Sequence, residues 1–305
     1  MNQVLLQMAA LVGCGILWRF IRPPGMDADD ARRAITGLVY TLLLPALVLN
    51  VLWQSELGTN TFKIALAAAA GVLAALAGAH WLLQQLTLPA TSRGALLLAA
   101  AFPNVTYLGL PVLEQTFGAW ARSVAIQYDL FACTPLLLTV GVMIARRYGE
   151  PGDARQNYLT ELLKVPPLWA AVVAVILNAA GLAEPAGLEA FLHTLANGVV
   201  PLMLIALGMA LRWDARQLRR LPAVAPALVV QLFAMPLLVW GVAGLFRMHG
   251  ALRTAVVLEA AMPAMVFGVV LCDRFGLDTE LYAAMVTLST GLSLFTLPLW
   301  YGWVQ

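Results

Sequence analysis

The sequence predicts an all-α integral membrane protein of ten transmembrane helices. They form two inverted five-helix repeats, with the fourth and ninth helices broken where they cross. Three observations predict it. Hydrophobic residues make up 61% of the 305 and charged residues 11%, against roughly 45–50% and about 25% in soluble domains. Apolar stretches of about 20 residues, enough to cross roughly 30 Å of hydrocarbon, recur along the whole chain. The two halves also carry the same proline-broken segment.

The spans fall at 3–21, 34–54, 62–86, 94–117, 121–145, 162–182, 187–211, 222–246, 252–274 and 280–303. The first is read as an uncleaved helix, because Met1 to Ala10 lack the Lys or Arg of a signal peptide. The longest non-apolar stretch, Arg146 to Glu161, is too short for a soluble catalytic domain. The predicted division is therefore 1–145 for the first repeat, 146–161 for a cytoplasmic linker and 162–305 for the second repeat.

Charge supplies orientation. Fourteen of the eighteen Lys and Arg fall after odd-numbered helices; only Lys63, Arg122, Arg247 and Arg253 lie on the other face. Positive loops stay cytoplasmic, which places both termini outside an inner (plasma) membrane. The formal charge of +2 offers no basic field for nucleic acid. Cys14, Cys133 and Cys272 are odd in number and far apart, and read as small apolar residues rather than a disulfide framework. No cofactor or metal is expected: His80, His193 and His249 never fall at ligand spacing.

The repeat rests on one ungapped match. Residues 93–103, ending Ala100-Ala101-Phe102-Pro103, align with 253–263, ending Ala260-Ala261-Met262-Pro263. Helices 2 and 7 also share a mid-helix proline, Pro45 and Pro201. Five helices per half is odd, so the second half enters the membrane upside down. Inverted repeats of this kind mark secondary transporters, with the binding site at the midplane where broken helices meet. Pro103, Gly109 and Pro111 open the fourth helix; Pro263 and Gly268 open the ninth. Freed backbone groups cannot face lipid, so such breaks occur where protein or water satisfies them.

The run Ala101-Phe102-Pro103-Asn104-Val105-Thr106-Tyr107-Leu108-Gly109-Leu110-Pro111-Val112, then Phe117-Gly118, resembles the fourth-helix motif of the auxin efflux carrier family. Met262-Pro263-Ala264 and Asp273-Arg274-Phe275-Gly276-Leu277-Asp278 resemble its ninth helix and exit loop. The long loop of the plant PIN members is missing, as in compact bacterial members of the malonate or malate type. The resemblance implies a fold of the bile-acid-symporter and sodium/proton-antiporter type, with a scaffold and an elevator-like transport domain. It also implies a homodimer in the lipid membrane and small organic anions as cargo.

At the crossing, Asn104 is the strongly polar residue between the breaks, and the family motif has an asparagine there. Its amide donates to a carboxylate or caps the half-helix. Thr106 and Tyr107 add hydroxyls, and Gln127 of the fifth helix completes the polar side. Met262, Ala264, Val266 and Phe267 form an apolar wall beside Pro263. No Lys or Arg lies at midplane depth, so the positive ends of the two half-helices are expected to hold the anion. Glu259, one turn before Pro263, and Asp129, within the fifth helix, need a reason to be in the membrane. Proton coupling is that reason, with Glu259 the stronger candidate and sodium the lesser option; a packing role is the alternative. A channel or sensor of the same fold, or an intramembrane enzyme, are the rival functions; no second catalytic motif supports the enzyme.

Overall fold

A computed structural model describes residues 2–21, 25–55, 57–149, 165–211 and 220–305. The helices are α1 (Asn2–Ile21), α2 (Ala28–Gln54), α3 (Thr59–Leu83), α4a (Ala90–Ala101), α4b (Leu110–Phe117), α5 (Ala121–Tyr148) and α6 (Pro166–Ala179). They continue with α7 (Ala186–Ala210), α8 (Leu221–Leu245), α9a (Gly250–Ala260), α9b (Gly268–Arg274) and α10 (Thr279–Val304). Six of them, α2, α3, α5, α7, α8 and α10, are long and apolar enough to cross a membrane. The described residues contain no strand, only an isolated antiparallel bridge between Pro103 and Ala264. Large side chains such as Phe20, Phe62, Leu245, Phe295 and Leu299 face outward from the helices, where hydrocarbon rather than water suits them. The molecule is a multi-pass α-helical membrane protein.

Boundaries differ from the sequence reading in identifiable ways. Helix α2 begins at Ala28 rather than 34 because Asp27 caps it, its side chain accepting from the Asp29 N–H at 3.3 Å. Helix α5 runs on to Tyr148, into the first residues of the predicted 146–161 linker. Residues 150–161 of that linker and the start of the predicted sixth span lie outside the described residues, as do Arg22, Arg155, Lys164, Arg212, Arg216 and Arg219.

Proline shapes the interior of the spans. Wide π-helical turns occur at Val39–Leu43, Val105–Gly109, Asp129–Cys133, Leu137–Gly141 and Val230–Ala234. Four of these five end two residues before a proline: Pro45, Pro111, Pro135 and Pro236. A proline ring has no N–H and clashes with the carbonyl four residues back. Widening the preceding turn relieves that clash without ending the helix.

The helices pack as two bodies. Helices α1, α2, α6 and α7 form one; α3, α4a, α4b, α5, α8, α9a, α9b and α10 form the other. Within the first body α1 and α7 approach backbone to backbone at Gly15 and Gly208. A side chain on Gly15 would run into the Ile205 carbonyl, and one on Gly208 into the Val12 carbonyl. Small residues at such crossings let dispersion contacts replace the hydrophobic effect that lipid does not supply. Arg19 then closes the end of α7, its guanidinium donating twice to the Met209 carbonyl at 3.0 and 2.6 Å while pairing with Asp29 at 2.7 Å. Contact between the bodies is thinner and concentrates on the turn at 105–109, α4b and the first half of α5.

Candidate functional site

The site is built around two interrupted helices. Helix α4a stops at Ala101 because Pro103 pushes the residue before it into an extended conformation; Phe102 has φ −108° and ψ 101°. Helix α9a stops at Ala260, and residues 261–267 run without helix until Gly268 starts α9b. The two extended segments meet antiparallel. The Asn104 N–H donates to the Pro263 carbonyl at 2.7 Å, and the Met265 N–H to the Phe102 carbonyl at 3.0 Å. Helix α10 supports the crossing from behind: the Ala264 N–H donates to Ser289 Oγ at 3.0 Å, and the Tyr282 hydroxyl donates to the Met265 carbonyl at 2.9 Å. Backbone groups released by the breaks are thus paired with protein, as an apolar surrounding demands. The amides of Asn104, Ala264 and Met265 are used to hold the crossing itself and are not free for an anion.

Asn104 fills the capping role of the two that the sequence left open. Its Oδ1 accepts from the Tyr107 N–H at 3.3 Å, capping the turn that leads into α4b. Its Nδ2 is buried without a hydrogen-bond partner, an amide donor left available beside a cavity.

That cavity lies on the α5–α6 side of the crossing and holds about 650 Å³ of empty space, mouth included. Pro103, Asn104, Thr106, Tyr107, Val266 and Phe267 line it, as does Asp129. The π turn at 129–133 presents the Asp129 carboxyl, whose Oδ1 accepts from Thr134 Oγ1 at 2.9 Å and whose Oδ2 accepts from Thr106 Oγ1. An aspartate of α5 is thereby tied to the unwound segment of the fourth helix. Among the described residues no Lys or Arg lines the space, and the rest of its wall is mainly aliphatic.

Other predicted residues stand elsewhere. Met262, Pro263 and Ala264 are buried inside the crossing and support the cavity without lining it. Gly109 and Pro111 sit one layer away, at the turn into α4b, also buried. Glu259 is fully buried with neither carboxyl oxygen hydrogen-bonded, and its carboxyl lies against Gly109 where any side chain on that glycine would have to sit. Gln127 faces the opposite side. Its Nε2 donates to Ser123 Oγ at 2.6 Å, and it lines a second cavity with Asn50, Gln54, Trp120, Arg122 and His193. One helical position thus separates two cavities: Gln127 opens onto one and Asp129 onto the other. His80, read from sequence as interfacial, is exposed on the last turn of α3 and within 2.6 Å of Gln84.

Sequence reasoning missed Tyr40 and Leu44 on α2, Thr134, Leu137 and Leu138 on α5, and Val165 before α6, all of which line the first cavity. A signal for two of these groups was present. Tyr40 and Thr134 lie at or beside π turns that end before Pro45 and Pro135, so an intrahelical proline could have marked both.

Interrupted helices that cross inside an apolar bundle, beside a cavity lined by the Asp129 carboxyl, are the arrangement of a transmembrane transporter. The family comparison agrees: a model of the membrane transport protein family matches residues 22–301. The chain belongs to that family, whose domain is the one of the auxin efflux carriers. Among similar proteins is an uncharacterized transporter of Methanothermobacter thermautotrophicus, 28% identical over 305 residues, spanning 98% of this chain and 97% of that one. The uncharacterized transporter MJ1031 of Methanocaldococcus jannaschii is 27% identical over 77% of this chain and 74% of its own. The uncharacterized transporter YfdV of Escherichia coli K12 is 23% identical over 67% of this chain and 65% of its own.

Proposed function

We propose that this transporter is a secondary carrier of small organic anions, specifically carboxylates with an apolar body, bound at the crossing of the broken helices. The observation that carries the reading is the cavity itself. Its aliphatic wall suits the body of such a ligand, and the free Nδ2 of Asn104 with the Tyr107 hydroxyl suits the carboxylate. A second carboxylate on the ligand would find no cation among the described residues there, which argues against dicarboxylates.

Coupling follows from charge. With no cation among the described residues that line the cavity, a bound carboxylate and an ionised Asp129 would share it. Two unit charges about 5 Å apart at an effective dielectric of about 20 repel by about 3 kcal/mol. A proton on Asp129 removes that repulsion, so anion and proton bind together and the pair is neutral. Glu259 remains a second coupling candidate, but its carboxyl is sealed off by the packing around Gly109. Movement is of the elevator type, the body holding the crossing sliding against the body of α1, α2, α6 and α7; the thin contact between them supports this. The remaining parts of the reading are ten spans in two inverted repeats, 1–145 and 162–305, both termini outside an inner membrane by the cation bias, and a homodimer by family resemblance.

The same Asp129 favours one second reading, an organic cation as cargo. A thermal-shift screen of the purified protein against monocarboxylates, dicarboxylates and amines, across pH and with or without sodium, separates the two. The carboxylate reading expects stabilisation by monocarboxylates that grows as pH falls. Stabilisation by amines alone, growing as pH rises, would replace it.

A further inference from the structure

The ends of α8 and α10 and the first turn of α9a carry a cluster that the transport reading does not use. The Arg253 guanidinium lies 4.6 Å over the Trp240 ring and donates from Nη2 to the Trp240 carbonyl at 3.1 Å. It lies across Gly244, whose missing side chain leaves the berth: a Cβ there would stand 3.1 Å from Arg253 Nη2. Trp240 packs in turn against Trp303, centroids 4.9 Å apart and planes tilted by 40°, and Trp303 meets the edge of Trp300 at 5.3 Å. Trp300 is fixed by its Nε1, which donates to the Leu232 carbonyl at 2.8 Å. Leu232 lies in the π turn before Pro236. Among the described residues Arg253 makes no ion pair with a carboxylate, and its Nε is buried without a partner.

From the tryptophans a shallow, open groove runs along the outside of the helices, lined by Phe233, Leu237, Leu299, Trp300 and Trp303. Its lining is wholly apolar side chains. Half or more of Leu237, Leu299 and Trp303 is exposed.

We propose that this face is a specific site for an anionic membrane phospholipid, its phosphodiester on Arg253 and one acyl chain in the groove. The chemistry fits at both ends. A guanidinium that lies over an aromatic ring, with Nη2 on the Trp240 carbonyl and Nε buried, keeps its Nη1 N–H groups to donate to a phosphate oxygen. Indole rings are the side chains that favour the depth where headgroup meets hydrocarbon. An unpaired cation selects a headgroup of net negative charge over a zwitterionic one, whose own ammonium competes for the phosphate. The groove continues from the tryptophan cluster, so one molecule spans both features. Because α8, α9a and α10 all belong to the body that holds the crossing, the bound lipid rides on that body.

The test is lipid titration of the detergent-purified protein by native mass spectrometry, with dioleoyl phosphatidylglycerol and dioleoyl phosphatidylethanolamine as probes. The expected result is tighter retention of phosphatidylglycerol, weakened at least tenfold in Arg253→Gln and unchanged in Arg247→Gln, a nearby arginine outside the cluster. Leu299→Glu, which leaves the guanidinium and its stacking intact, should weaken it as well, and it carries the test if Arg253→Gln does not fold. Wild-type retention in Arg253→Gln or in Leu299→Glu would overturn the proposal. So would equal loss in Arg247→Gln, or full displacement by the chain-free headgroup glycerophosphoglycerol at equal concentration.

Discussion

The Glu259 carboxyl occupies the space that a side chain on Gly109 would fill. Helix α9a and the turn into α4b therefore interlock, and the two broken helices are joined by a side chain as well as by the backbone bridge at Pro103 and Ala264. The contact explains why that position of the motif is a glycine.

Adding one methyl at this contact should be costly. Gly109→Ala is expected to destabilise the protein by about 1–3 kcal/mol, the range for overpacking a filled core. Shortening the partner in the double variant Gly109→Ala/Glu259→Ala should restore part of the loss. Thermal unfolding in detergent, compared across the three proteins, checks this; a Gly109→Ala protein as stable as wild type would show that the contact is loose.

The α1–α7 crossing makes a parallel prediction in the other body. Gly208→Val places atoms where the Val12 carbonyl lies, so α1 must move away. Stability should fall by about 1–3 kcal/mol, while a carboxylate identified by the screen should still stabilise the folded fraction. Loss of ligand response at unchanged melting temperature would contradict the assignment of this crossing to a structural role.

Asn104→Ala should produce two separable losses, since Oδ1 caps the turn and Nδ2 is free. Loss of the cap costs about 0.5–2 kcal/mol of stability without ligand. Loss of the amide donor weakens carboxylate binding by a further amount of about 1.5–3 kcal/mol, the range for hydrogen bonds to charged groups. Calorimetric unfolding and ligand titration on the same preparation distinguish them. A variant with reduced stability and wild-type affinity would reduce Asn104 to a cap.

Asp129→Asn keeps hydrogen-bonding capacity toward Thr106 and Thr134 but cannot ionise. Uptake of the carboxylate into proteoliposomes is expected to rise as pH falls in wild type and to become nearly independent of pH in the variant. The sign follows from the repulsion argument: protonation of Asp129 admits the anion, and the amide is permanently neutral. Retained pH dependence in Asp129→Asn, lost instead in Glu259→Gln, would move the coupling role to Glu259.

Much of this architecture is legible in the sequence, for physical reasons. Charge-poor runs of helix length reveal the apolar helices, and the matching Pro103 and Pro263 mark the two breaks, because a proline acts on its own backbone wherever it falls. Which side chains share a cavity is less legible. Gln127 and Asp129 are two residues apart on one helix and therefore point to opposite faces, one to each cavity; helical periodicity was the available sign that they do not share a site. Tyr40 and Val165 reach the site from α2 and the start of α6; no local pattern links positions so distant, since packing between the two bodies brings them together. Glu259 stood out as a membrane carboxyl, but that Gly109 encloses it is a tertiary fact.

The central claim is that a monocarboxylate binds at the crossing with its charge between Asn104 and Asp129. The most direct measurement is an experimental structure of the protein with the best-stabilising carboxylate from the screen. Ligand density is expected within hydrogen-bond reach of Asn104 Nδ2, walled by Val266 and Phe267. Ligand density only in the cavity beside Gln127 and Arg122, with the space over Asp129 unfilled, would contradict it.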